Sequence, residues 1–153
     1  MKVAKEQIVG MVAAVDWLLT QTDDGLEKES RERISVIINM LKNIPSVKTS
    51  IIVPELANHV PHLIINFDPG VIGASSRELK ARLRTATRCI EINLHTGSQT
   101  SSQGVPPQPN ALVVTTFLLN PGEEFIVGRQ IRQALKNPRS VGTYPPPPPA
   151  APA

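Results

Sequence analysis

The chain has 153 residues, one domain's worth with a single core. Hydrophobic residues make up 41% and charged residues 19%, an ordinary globular balance, and aromatics at 3% require an aliphatic core of Ile, Val and Leu. The formal net charge of +3 is too small to point to nucleic acid, and the one cysteine, Cys89, excludes an internal disulfide and fits a reducing compartment.

The first helix is predicted from about Lys5 to Thr20. Ile8, Met11, Val12, Val15, Leu18 and Leu19 fall at i, i+3, i+4, i+7, i+10 and i+11, one continuous apolar stripe. Lys5, Glu6 and Asp16 interrupt this run, so it is neither a signal peptide nor a membrane span, and a cytoplasmic protein is expected. A short polar link, Gln21 to Asp23, leads to a second helix. There Asp24 and Glu27 form a capping-box pattern, Ile34, Ile37, Ile38 and Leu41 lie on one face, and Pro45 ends it.

Two strands are predicted next, Val47 to Val53 and His62 to Phe67, as an antiparallel pair with Pro54 and Pro61 in the loop between them. Asp68-Pro69-Gly70 reads as a turn. Ser75 with Glu78 starts a short helix carrying Leu79 and Leu83, and Cys89 to Leu94 is a third strand candidate. From His95 to Asn110 the chain reads as loop, then Ala111 to Leu119 as a last strand. Asn120-Pro121-Gly122-Glu123 supplies an N-cap, a proline at the first helical position and a glutamate at N3 for a final helix ending near Lys136.

This order implies an α+β fold: two long N-terminal helices, then a small, mainly antiparallel sheet covered by helices. Residues 1–137 form the domain, with 1–43 as a helical hairpin or linker helices and 44–137 as an α/β sandwich. Residues 138–153 form a proline-rich disordered tail. Its segment 145–149 offers a ligand to a proline-recognition partner, although a disordered terminus explains it equally.

Met1-Lys2-Val3-Ala4-Lys5-Glu6-Gln7-Ile8-Val9-Gly10 resembles the Met-Lys-Val-Gly-Lys-Glu-Glu-Ile-Val-Gly run of selenocysteine-synthase-like pyridoxal-phosphate enzymes, the bacterial L-seryl-tRNA(Sec) selenium transferase family. Asn120-Pro121-Gly122-Glu123-Glu124, with Ile126 and Arg129-Gln130-Ile131-Arg132-Gln133-Ala134-Leu135, is similar to a helix that closes many members. Val60-Pro61-His62-Leu63 with Phe67-Asp68 looks like a family strand. The likeness spans roughly residues 1–136. Ala4 stands where relatives usually have Gly. Asn93 stands where many carry an Arg suited to a substrate carboxylate or phosphate.

The resemblance implies the small C-terminal domain of an aspartate-aminotransferase-type enzyme. The parent would be a transferase or lyase performing elimination or replacement on an amino-acid-type substrate, with pyridoxal phosphate as electron sink. A small-molecule substrate is favoured over seryl-tRNA, because the chain shows no tRNA-binding N-terminal domain. In that family the Schiff-base lysine, the acidic partner of the pyridinium and the phosphate cradle all precede the opening run. The chain is therefore expected to hold no catalytic or cofactor-binding residue, to bind no pyridoxal phosphate by itself, and to represent a truncation, an internal start or a pseudogene product. Its expected partners are a pyridoxal-binding large domain or further copies of itself, since removing a large domain would bare the first helix's stripe.

Among individual residues, His62 is the one substrate-cleft candidate; it reads either as facing the cleft of a complete enzyme or as a structural histidine at a strand end. His59 and His62 have H-x-x-H spacing, but Val60-Pro61 between them prevents a regular helix and His95 is remote, so no metal is expected. Lys2, Lys5 and Lys48 read as solvated lysines, and Cys89 as a buried thiol acting as a small hydrophobe. Lys80, Arg82, Arg84 and Arg88 form a local basic face, read as solvated rather than as an RNA surface. The 97–104 loop lacks the strand–loop–helix context of a phosphate loop. A second class stays open beside the enzyme reading: a stand-alone, ferredoxin-like binding or subunit-interaction module with a polyproline tail.

Overall fold

In a computed structural model that describes residues 4–54, 60–86, 88–94 and 110–137, the first two helices form where periodicity places them, Lys5–Leu19 (α1) and Asp23–Leu41 (α2). The cap of α2 differs from expectation. Thr22 takes the position, its hydroxyl accepting from the Gly25 amide at 3.1 Å, and Asp23 and Asp24 fall inside the first turn. There they still favour the positive end of the helix dipole. Asn43 adopts a left-handed φ of 66° just beyond α2, a conformation that asparagine tolerates better than most side chains, and the chain turns away.

The strands are Lys48–Ile52 (β1), His62–Asn66 (β2) and Ala111–Thr115 (β3), hydrogen-bonded in the order β1-β2-β3 with both pairings antiparallel. Ile52, His62 and Thr115 lie opposite one another at one end, and Ser50, Ile64 and Val113 near the middle. Between β2 and β3 come a one-turn helix, Pro69–Ile72 (α3), and Ser76–Thr85 (α4); Glu123–Lys136 (α5) follows β3. The described residues are thus α+β, with a three-stranded antiparallel sheet. Their order differs from the β-α-β-β-α-β order of a ferredoxin-like module.

Strand alternation sorts the core. Leu63, Ile65, Leu112 and Val114 point to one face, where they meet Ile34, Ile37 and Leu41 of α2, Leu79 and Leu83 of α4, and Val127, Ile131 and Leu135 of α5. Ile64, Ala111 and Val113 occupy the opposite face, with Ile52 packed against them. Full burial of each such aliphatic side chain contributes about 1.5–3 kcal/mol before entropy is counted.

The end of β3 is tied to α2 by polar contacts. The Ser30 hydroxyl lies 2.8 Å from Thr116 Oγ1, which itself donates to the Ser30 carbonyl at 3.2 Å, and Arg33 donates to the Thr116 carbonyl at 3.2 Å. Both hydroxyls are buried and satisfied.

Several local expectations need correction. The 89–94 segment is not a strand of the sheet: only Asn93 bridges to Val113. Ile90, Ile92 and Leu94 turn toward the core, which sends Cys89, Glu91 and Asn93 outward. Cys89 is therefore exposed, not buried. The last strand stops at Thr115 instead of Leu119, because the Leu119 amide turns back to the Thr116 carbonyl at 3.1 Å. Asp68 caps α3 rather than sitting in a simple turn, with its carboxylate accepting from the Gly70 amide at 2.8 Å. Gly122, at φ 91°, takes the N-cap position expected of Asn120, which instead donates its amide to the Glu123 carboxylate at 2.8 Å.

Helix α1 stands apart from this core: no residue of it is buried, and its apolar stripe is exposed. Residues 55–59 with His59, residues 95–109 with His95, the tail 138–153 with its 145–149 segment, and Lys2 lie outside the described residues.

Three carboxylates are held below the ordinary glutamate range. Glu78 accepts from the Ser75 amide and hydroxyl, completing the expected capping box, and Arg82 adds its charge. Glu123 accepts from the Asn120 backbone and side chain, with smaller contributions from Arg88 and Arg33. Glu91 accepts from Lys80 at 2.7 Å and feels the charges of Lys80 and Arg84. In each case the modest opposing effect of burial is outweighed. A depressed folded-state pKa means that the unfolded chain binds more protons in the interval between the two values. The stability is therefore present above the unfolded value and lost as pH falls through the folded one. Urea midpoints should be flat above about pH 5 and decline below about pH 4.5. E78Q should make that decline shallower, and a midpoint that rises on acidification would contradict these carboxylate assignments.

Candidate functional site

A depression lies where the end of α2 meets α5. It opens to solvent, has a volume of about 550 Å³, and is lined by Asn39, Met40, Lys42, Asn43, Phe125, Arg129 and Arg132. Its walls follow from how α2 ends. The last carbonyls of a helix have no intrahelical donor, and here Arg132 reaches across from α5 to donate to the carbonyls of Met40 and Lys42, the latter at 3.3 Å. A guanidinium at a helix C-terminus also meets the negative end of the dipole. Arg132 thus joins α2 to α5.

Lys42 and Arg129 stand beside it without a carboxylate partner among the described residues. Three cations, two amides and the exposed ring of Phe125 can accept an anion with an apolar portion. The lining holds no carboxylate, imidazole or thiol, and its one side chain of a type that can exchange protons as a general acid or base is the exposed Lys42. The sequence reading assigned this place no role, although Arg129 and Arg132 lie in the closing-helix motif. Their meeting with α2 joins positions some 90 residues apart, which no local pattern records.

His62, the substrate-cleft candidate, opens β2 and is buried. Its Nδ1 lies 2.8 Å from the Val60 carbonyl oxygen, and since a carbonyl only accepts, that nitrogen carries the donated proton. It shares the sheet face of Ile64, opposite Ile52 and Thr115, away from the α2–α5 depression. No group of three or more His, Cys, Asp or Glu among the described residues is arranged to hold a metal.

The basic residues around α4 are partly neutralised. Lys80 and Arg84 share Glu91, at 2.7 and 3.5 Å, an ion-pair cluster at the surface. The sequence reading took the face as simply solvated and missed Glu91, whose outward position follows from the alternation of 90, 92 and 94.

A Schiff-base lysine needs a desolvated pocket or a neighbouring cation to favour the free amine. Lys5, Lys28, Lys42, Lys48 and Lys136 are exposed, and Lys80 is committed to Glu91. The described lysines do not fit a covalent pyridoxal-phosphate site.

No protein-family description matches the chain, and no curated protein matches it. Among solved structures, D-glucosaminate-6-phosphate ammonia-lyase is similar, with a TM-score of 0.67 and 15% sequence identity over 90% of this chain. The match covers 33% of that protein's chain, so the present chain spans about a third of its length. At this identity the likeness shows a shared fold and nothing further.

Proposed function

We propose that this chain is a small domain of a pyridoxal-phosphate-dependent enzyme of the selenocysteine-synthase-like group, inactive by itself. The parent reaction would be elimination or replacement on an amino-bearing substrate. The observation that carries this reading is the backbone likeness to a third of an ammonia-lyase, a pyridoxal-phosphate-dependent enzyme by class. The motif resemblance supports it independently, since it rests on residues and not on the fold. A lyase of small molecules is favoured over a tRNA-dependent transferase, because the similar structure is named for ammonia release from a phosphorylated amino sugar.

On this reading the domain supplies structure and one wall of a composite site, while a large domain supplies the lysine, the pyridinium partner and the phosphate cradle. His62 is the residue proposed to face such a cleft, through Nε2, since Nδ1 is held by Val60.

Incubating the purified chain with pyridoxal phosphate and reducing with borohydride should give only low, scattered lysine labelling in peptide mass spectrometry. Stoichiometric labelling of a single lysine would overturn the claim that the cofactor chemistry lies outside this chain.

A further inference from the structure

Helix α1 is apolar on nearly every side and covered on none. Ile8, Met11, Val12, Val15, Leu18 and Leu19 are 45–78% exposed, and Val9 and Trp17 beside them 68% and 61%. A helix of this composition is ordinarily a buried one. At 15 residues, about 22 Å, it is also too short to be stable in water without packing partners.

We infer that the occupant of this surface is a second copy of the same helix, laid antiparallel across a two-fold axis. Three observations support that choice. Ile8, Met11, Val15 and Leu18 sit at 3-4-3 spacing, the a and d positions of two heptads, with Val12 and Leu19 widening the seam. The six stripe residues expose on the order of 600 Å² per copy at ordinary side-chain areas, which brings a pair to the roughly 1,200 Å² lower bound of standard interfaces.

Charge selects the orientation. Antiparallel pairing at the level of Val12 to Ala14 brings Lys5 of one copy beside the 21–24 segment of the other, which carries Asp23 and Asp24, and opposes the two helix dipoles. Parallel pairing would gather both Lys5 at one end of the pair and align the two helix dipoles. In the antiparallel pair, Val12 meets Val12 and Ala14 meets Ala14 across the axis. The symmetry is isologous and closed, so association stops at two.

The inference rests on the stripe itself and not on the pyridoxal-enzyme reading, in which a large domain is the rival occupant of this face. Sedimentation equilibrium of the full chain from about 0.1 to 100 μM should show a reversible rise to twice the monomer mass, the range over which interfaces of modest size dissociate. The double variant V12E/L18E should remain monomeric throughout. Because neither residue touches the core, its thermal transition at low concentration should match the parent's.

Orientation is read by cysteine crosslinking in a C89S background, which removes the exposed native thiol. Ala14→Cys should give a disulfide-linked dimer on mild oxidation, whereas Gln7→Cys should not. A concentration-independent monomer, a dimer indifferent to V12E/L18E, or efficient crosslinking through position 7 would each overturn the proposal.

Discussion

Ile37→Ala is expected to lower the unfolding free energy by about 2–5 kcal/mol, a large share of the roughly 5–15 kcal/mol that small domains possess. Ile37 has no exposed surface and sits on the side of α2 that crosses α5. Removing its outer carbons loses their transfer energy and leaves a void. The void cannot close easily, because Ile34 and Leu41 on either side are themselves pinned in the same cluster. Urea denaturation followed by far-UV circular dichroism measures the effect. Val71→Ala is the control: its side chain is 59% exposed, and its change should stay within about 0.5 kcal/mol. Equal losses at the two positions would mean that the assignment of the α2 face is wrong.

The second large effect is expected at Gly128, where α5 comes closest to α2. A β-carbon there would lie 2.6 Å from Met40 Sδ and 3.4 Å from Ile37 Cα. The first neighbour belongs to a flexible side chain that can swing aside; the second is backbone. Gly128→Ala should therefore be nearly neutral, because the gain of about 1 kcal/mol in helix propensity offsets the displacement of Met40. Gly128→Val adds two further carbons against the α2 backbone and should lose about 1–3 kcal/mol through overpacking. It should also loosen the Arg132 contact with the end of α2, one turn further along α5. The expected order of urea midpoints is parent and alanine together, valine well below. A valine variant as stable as the parent would show that the helices do not approach so closely.

Much of this fold could be read from local pattern. The spacing of Ile34, Ile37 and Leu41 identifies the buried face of α2, and Ser75 with Glu78 marks the start of α4 as the structure has it. Two helix starts needed geometry. The sequence pointed to Asp24 with Glu27 for α2, whereas the Thr22 hydroxyl, one residue before the first helical position, is the cap. It pointed to Asn120 for α5, whereas an extra turn closed by Glu123 moves the helix start forward to Gly122.

Cys89 was misread through treating 89–94 as a strand without choosing its phase. With Ile90, Ile92 and Leu94 inward, the thiol has to face outward. The stripe of α1 shows a different limit. Periodicity identifies which side of a helix wants cover, but contains nothing about whether the same domain supplies it. The α2–α5 depression was illegible for a related reason. Lys42 and Arg129 come from separate helices, and only the tertiary crossing puts them together.

The proposed assignment places this domain in a pyridoxal-phosphate enzyme whose chemistry is carried by residues outside these 153. Its most direct test is borohydride reduction of the native assembly, captured from its source cells with an antibody to residues 23–137, followed by mass spectrometry of every polypeptide recovered. A stoichiometric pyridoxyl-lysine is expected in sequence outside this chain, whether contiguous with it or on an associated protein, and none on Lys2, Lys5, Lys28, Lys42, Lys48, Lys80 or Lys136. A pyridoxyl-lysine on one of those seven, or an assembly containing no pyridoxyl-lysine at all, would contradict the proposed assignment.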